Sequence, residues 1–446
     1  MPVSREKRAF SFFLFGNYFP LFMFYREKNI LTMQENKKIR ICAVGSDSSG
    51  CWAHRVLWPH KMLQENFGDK FDVDLMHLKD IPRENLEDFL KQYDILFFHK
   101  QLDLQYRIID MAKFLNLLVI CDLDDSYRLG MDHPSYASSV REKWADTIIG
   151  HARKADCVIT TTPIYEKELK LLNDNVYVLP NAIDDTLPMF NVPKVPSDRI
   201  RFGIICGSAH QKDIELMTGI STLPKSIMDR LTYYCGGFDT NGITTIYDPK
   251  TGNVTRRQMT PEQSVWNVFE RFLTNNYKTI SPEHRNFLKQ YLKMDDPFAK
   301  NESYNRGWTL DINNYARHYQ NVDVLLAPLK ENDFNRRKSD LKVAECVYTN
   351  TAIIASDYGP YQLHLIPYLE KGMKINPEGN ALLVDPSKNH KQWAKYIQYV
   401  VEHPECIQTM VTNLRKGLLE HYSLKNVTND RAELYEKLYK EHKQDC

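Results

Sequence analysis

Short apolar runs alternate with helix-length segments along most of this chain. The first set is IRICAV at 39–44, FDVDLMHL at 71–78, DILFFH at 94–99, LLVICDLD at 117–124 and DCVITTT at 156–162. Runs that are apolar almost throughout fit strands covered on both faces, and helix-length spacers are what parallel neighbours need. NVYVL at 175–179 adds a strand and leads into Pro180-Asn181-Ala182-Ile183-Asp184. Residues 188–197 are Pro-bearing and weakly patterned, as an interdomain linker would be. Strand patterns then restart with IRFGIICGS at 200–208, LTYYCGGF at 231–238, VDVLLAP at 322–328, TAIIAS at 351–356 and ALLVD at 381–385. The pattern predicts an α/β chain of two Rossmann-like, doubly wound parallel-sheet domains facing a central cleft.

The boundaries follow from the same pattern: an N-terminal extension 1–37, a first domain 38–187, a second domain 197–405 interrupted by an insertion at 240–303, and helices 406–446 able to pack back on the first domain. Within the insertion, NGITTIYDPKTGNV predicts a short hairpin, and 261–293 reads as helical with Trp266, Phe269, Phe272 and Leu273 at three and four spacing.

Composition narrows the classes. Of 446 residues, 43% are hydrophobic and 26% charged, which is globular, and the length exceeds one core of ordinary size. Lys plus Arg (58) nearly cancels Asp plus Glu (57), so no broad field exists to hold nucleic acid, and any phosphate site must be local. Cys42, Cys121, Cys157, Cys206 and Cys346 fall inside apolar patterns with no CxxC pair, reading as reduced core residues of a cytoplasmic protein. Residues 9–25 are apolar and aromatic, but Asn17 and Pro20 interrupt them, and the stretch is shorter than the roughly 20 residues of a spanning helix. Translation from Met33, with an upstream extension of 32 residues, is one account. A peripheral membrane anchor is the other.

The candidate chemistry begins at NRRKSDLKVAE, 335–345, which follows the VDVLLAP strand and opens a helix. A polar loop carrying Lys338, Ser339 and Lys342 at a helix start can aim N–H groups and cations at a phosphate, or be an ordinary solvated turn. Asp122, Asp124 and Asp125 close a buried strand, where carboxylates are costly unless they pair with cations or meet a substrate. Gly50 and Arg55 follow the first strand, and His99 and His133 lie near strand ends.

These segments together resemble the GT-B glycosyltransferases, in particular the retaining family 4 group and bacterial members with a D-x-D-D first-domain motif. The pieces are GCWAHRVLWP (50–59), DLDD (122–125), DCVITTTP (156–163), VYVLPNAID (176–184), GSAHQKDIEL (207–216), KSDLKVAE (338–345) and ASDYGPY (355–361). The resemblance implies a nucleoside-diphosphate sugar held by the second domain and a saccharide or lipid-linked saccharide acceptor held by the first. It implies that Glu345 bonds the ribose and that Gly207, Ser208, Lys212, Lys338, Ser339, Asp340 and Leu341 form the diphosphate site, with Trp308 against the base. Asp124, Lys212 and Glu345 would carry the catalytic roles, and Gly50 and Arg55 would face the donor sugar or an acceptor phosphate. Two positions depart from the pattern: Ser208 stands where relatives often have Arg, and Arg337 where they have the first of two Glu residues. The sugar nucleotide is a substrate, so no cofactor and no metal are expected, nor is nucleic acid. The implied setting is surface polysaccharide assembly in the cytoplasm, with peripheral membrane contact as an option.

Other readings remain. DLDD could be the metal-binding D-x-D of a GT-A enzyme, or the nucleophile motif of an aspartyl phosphatase, which would want Thr or Val where Ser126 stands. A GT-B-shaped sugar-nucleotide epimerase and a nucleotide-sugar-binding protein without turnover are the remaining alternatives.

Overall fold

A computed structural model of the chain describes residues 37–45, 50–100, 106–133, 135–207, 210–237, 243–247, 251, 253–258, 304–307, 310–387 and 389–444. The apolar N-terminal stretch, Ser208, Trp308 and most of the 240–303 insertion, including its aromatic helix pattern, lie outside the described residues.

The first lobe is a six-stranded parallel sheet of β1 (Ile39–Gly45), β2 (Phe71–His77), β3 (Ile95–His99), β4 (Leu118–Leu123), β5 (Cys157–Thr160) and β6 (Val176–Val178), in the order β2-β1-β3-β4-β5-β6. The central strands β3 and β4 are buried at every position, which is why they read as unbroken apolar runs. Edge strand β2 is instead buried only at Phe71, and its Asp72 and Asp74 meet Arg40 at 3.3 and 3.6 Å. Charge on an edge discourages pairing with another chain.

The second lobe repeats the plan with β7 (Ile200–Ile205), β8 (Leu231–Gly236), β11 (Tyr304–Arg306), β12 (Val324–Ala327), β13 (Ala352–Ser356) and β14 (Leu382–Val384), all parallel, in the order β11-β8-β7-β12-β13-β14. Between β8 and β11 stands an antiparallel hairpin of β9 (Ile243–Tyr247) and β10 (Val254–Gln258), the hairpin read from NGITTIYDPKTGNV. In each sheet the winding reverses at one place, between β1 and β3 and between β7 and β12. Crevices at the carboxyl ends of such strands are where open α/β sheets bind ligands.

One apolar core crosses between the lobes. It joins Ile41, Phe97 and Ile120 under the first sheet to Tyr319, Val343 and Tyr348 in the second lobe and to Tyr422 and Tyr435 near the C-terminus. The helix Glu405–Leu418 packs on the helix Leu341–Tyr348. The chain then crosses over, with Ile183 N donating to Tyr422 O (2.8 Å) and Leu424 N to Ile183 O (2.9 Å). The last helix, Leu424–Gln444, buries Leu424, Val427, Thr428, Arg431, Ala432, Tyr435 and Leu438, a stripe at three and four spacing, and lays it on the first-lobe helix Trp58–Phe67.

Inside that contact, Arg431 Nη1 donates to Tyr435 Oη (2.8 Å), and the Tyr435 hydroxyl donates to His60 Nε2 (3.1 Å). Tyr435→Phe is expected to cost about 1–3 kcal/mol, because it leaves a buried donor and acceptor unmatched; guanidinium unfolding would measure it, and a change below about 0.5 kcal/mol would refute the account. Among the described residues no helix is long and apolar enough to cross a membrane. The eight described cysteines are free, and burial pushes the thiols of Cys42 and Cys206 up to about 12.

Candidate active site

Between the two switch points lies a cleft of 570 Å³. Residues from both lobes line it: Gly50, Cys51, His54, Arg55, Asp124, Asp125 and Asn181 from the first, and Cys206, Gly207, Gly237, Tyr315, Ser339, Leu341, Lys342 and Glu345 from the second, among others.

After β1 the backbone winds through six residues of π-helix, Trp52–Leu57, before the α-helix that contains Pro59. Proline has no N–H for the carbonyl four residues back, here that of Arg55, and crowds it; a wider turn relieves both. The wider turn buries His54 and Arg55. Short π segments of this kind recur at functional sites. Arg55 is fully used inside the protein. Its Nε and Nη2 clasp Asp122 (3.0 and 2.7 Å), and Nη1 reaches Leu179 O (2.9 Å) and Asn181 Oδ1 (3.1 Å). Asn181 Nδ2 in turn donates to Ser339 Oγ across the cleft (3.0 Å). Thus Arg55 braces the strand ends, where the sequence suggested a substrate contact.

The ends of β3 and β4 form a compact charge cluster. Lys100 Nζ lies 2.8 Å and His99 Nε2 3.1 Å from Asp124 Oδ1. Burial opposes ionisation of Asp124, but Lys100 and His99 outweigh it and hold the carboxyl well below the usual carboxylate range. For Asp125, burial and then the neighbouring Asp124 charge win, and its carboxyl is raised. Cys51, His99 and Asp124 offer ligand atoms within 4.8 Å of one another, yet the Lys100 ammonium already sits on the Asp124 oxygen. The chain supplies that cation itself.

On the opposite wall, the helix Leu341–Tyr348 presents its amino end to the cleft, with Ser339 and Leu341 lining it. Lys342 and Glu345 share one face of this helix at 2.7 Å, and Glu345 Oε2 also accepts from Tyr319 Oη (2.6 Å). Tyr315 Oη bonds His54 Nε2 at 3.0 Å. Beneath the loop, Lys338 Nζ donates to His210 Nε2 (3.2 Å), and His210 Nδ1 to Asp213 Oδ2 (2.7 Å). Burial pulls the Lys338 ammonium down from its ordinary value. Gly237, at φ +122°, has no room for a side chain: a Cβ would stand 2.2 Å from the Cys206 carbonyl.

No family model matches the chain, and no curated protein sequence matches it. Solved structures do. Sucrose-phosphate synthase from Thermosynechococcus elongatus superposes with a TM-score of 0.56 at 14% identity, over 90% of this chain and 99% of that one. HepE from Anabaena, solved with UDP and glucose, gives 0.54 at 10% identity, over 90% and 100%. A glycosyltransferase from Rickettsia africae gives 0.55 at 12% identity, over 90% and 99%. The chain has the GT-B fold.

Measured against the GT-B cleft, the residues singled out from sequence fall into three groups. Asp124, Gly207, Ser339, Leu341 and Glu345 line it. Asp340 and Lys338 do not line it directly: the Asp340 carboxylate is buried and accepts from Tyr422 Oη (2.5 Å), and Lys338 stands behind the loop with its ammonium 5.1 Å from the Phe334 ring. Lys212 sits outside, half exposed and 2.8 Å from Glu215 Oε1. Arg337 also points elsewhere, bonding Asp333 O and closing an ion pair with Glu168 of the first lobe. Lys100, His54, Tyr315 and the His210–Asp213 pair were not singled out from sequence. His54 stands beside Arg55 within GCWAHRVLWP, and Lys100 directly follows a strand that ends in His99; a charged residue at such a strand end was the available signal.

Proposed function

We infer that the protein is a glycosyltransferase that uses a nucleoside-diphosphate sugar. One observation carries this reading: in a GT-B cleft, the amino end of the helix Leu341–Tyr348 with Ser339 and Lys342 faces the Asp124–Asp125 strand end of the other lobe. Helix N–H groups and a lysine supply what a departing diphosphate needs, without a metal. Glu345, fixed by Tyr319 and Lys342, has its second oxygen for a ribose hydroxyl. The acceptor is a saccharide or a lipid-linked saccharide on the first-lobe side. Transfer with retention, in the building of a surface polysaccharide, is the finer form of this reading and rests on the resemblance of the motifs.

The test is a thermal-shift screen against UDP-, GDP-, ADP- and TDP-sugars, followed by product analysis. A donor at a hundred times its Kd should stabilise the fold by about 2.7 kcal/mol. Lys342→Ala and Glu345→Gln are each expected to weaken binding by about tenfold or more, as for hydrogen bonds to charged groups. Lys212→Ala separates the two candidate cations, since loss of the shift there would bring its loop onto the phosphates. An isomerised sugar nucleotide would mean an epimerase, binding without turnover a binding protein, and no shift with any donor would end the reading.

A further inference from the structure

We propose that Arg337 and Glu168 latch the two lobes together over the cleft, so that the cleft opens only when this pair parts; that the opening admits a sugar nucleotide rests on the transferase reading above. Residues 330–339 lead from β12 to the helix Leu341–Tyr348 and meet the first lobe along their length. Lys330 Nζ lies 2.5 Å from Asp132 Oδ2, the Phe334 ring meets His133 edge-on with centroids 5.2 Å apart, Arg337 pairs with Glu168, and Ser339 Oγ accepts from Asn181. The same segment is tied to its own lobe. Asp213 Oδ1 accepts from Lys330 N (2.9 Å) and Asn335 Nδ2 (2.8 Å), and Tyr358 Oη donates to Asn332 O (2.9 Å). Its outward contacts therefore hold lobe to lobe.

Among these contacts the Arg337–Glu168 pair is the strong one. Its side chains keep 21% and 15% of their surface open, against 42% and 46% for Lys330 and Asp132. A pair half open to water contributes little, whereas one mostly out of water is costly to break from one side. Arg337 Nη1 also donates to Asp333 O (2.7 Å), which fixes the guanidinium on the segment. Position 337 is where the motif resemblance expects a carboxylate. A carboxylate here would face Glu168 as a like charge and push the lobes apart. Arg337 turns that repulsion into attraction, two residues before the Ser339 that lines the cleft.

The experiment uses the full chain. A zero-length carbodiimide joins an amine to a carboxylate only when the two touch, so the Lys330–Asp132 amide, read by mass spectrometry of a digest, reports how often the lobes are closed. Arg337→Glu and Glu168→Arg are each expected to lower its yield by about tenfold, and the two together, which exchange the charges, to restore it to within about twofold. A purely structural loss would not be rescued by the exchange. Should a reversed charge prevent folding, Arg337→Gln is expected to lower the yield by about threefold. An unchanged yield in the single variants, or no recovery in the exchanged pair, overturns the latch. The linked wild-type chain, freed of reagent, should also lose the thermal shift given by the stabilising donor, while Asp132→Asn treated in the same way keeps it. A linked chain that still takes up the donor overturns the gating. No shift of the untreated chain with any sugar nucleotide removes the transferase reading, and the cross-link yields then decide the latch by themselves.

Discussion

Arg55→Ala is expected to destabilise the protein by about 3–5 kcal/mol, the range for breaking a buried ion pair from one side. Asp122 is completely buried, and its two oxygens are both clasped by the guanidinium. Without Arg55 that carboxylate has lost its only ion-pair partner of opposite permanent charge among the described residues, and the Leu179 carbonyl and Asn181 amide oxygen lose a donor as well. Arg55→Lys should recover little, because one ammonium cannot reproduce a planar fork that bonds three groups at once. Arg55→Met combined with Asp122→Leu should be milder than either single change, since removing both charges removes the desolvation cost too. Guanidinium unfolding of the wild-type chain and of these single and double variants decides it; a loss below about 1 kcal/mol for Arg55→Ala would show that water reaches Asp122 and that the brace is not needed. Because Asn181 carries the link on to Ser339, the same variant should loosen the loop that holds Ser339.

Arg55 also shows where sequence reading stops. The two sheets were legible because buried parallel strands leave unbroken apolar runs, such as FGII in β7 and VLLA in β12. The loop and helix 338–345 were legible because a polar loop follows the VDVLLAP strand and opens a helix, on which Lys342 and Glu345, three apart, share a face. What was not legible was which charges are spent on partners far away in sequence. Arg337 meets Glu168, Asn181 meets Ser339 and Lys330 meets Asp132 (2.5 Å) across the lobes. Each pair joins positions more than a hundred residues apart, and no periodicity records it. Lys212 failed to reach the cleft for a local reason: Glu215, three residues on, holds it at the surface. In the DLDD motif Arg55 clasps both oxygens of Asp122 and Lys100 and His99 meet Asp124 Oδ1, whereas Asp125 stands 3.9 Å from Lys100 Nζ.

Acidification should unfold the protein well before its carboxylates are exhausted. Burial drives the His54 imidazole down to about 4 and His60 well below its usual range, and His133, His210, His364 and His421 are lowered in the same direction. His60 has a specific reason to stay neutral. Its Nδ1–H donates to Val56 O (2.8 Å) and its Nε2 accepts from the Tyr435 hydroxyl, so a second proton would face a donor beside Arg431. For each such histidine the unfolded chain binds a proton near pH 6.5 while the folded one does not, so the stabilisation is complete above that pH and is lost as pH falls toward the folded value. His54 alone would forfeit about 3 kcal/mol by pH 4, and with His60 the slope is about 2.7 kcal/mol per pH unit. Asp125 and Asp340, raised by burial, take up protons in the folded state and offset part of this in the most acidic stretch. Guanidinium unfolding at pH 7.5, 6.5, 5.5 and 4.5 should therefore show stability falling steeply below about 6.5. His60→Gln should flatten the slope by about one proton. A level profile down to pH 4.5 in the wild-type chain would mean that these imidazoles gain water or a carboxylate partner when protonated, and would refute the closed, neutral packing of the last helix on the first lobe.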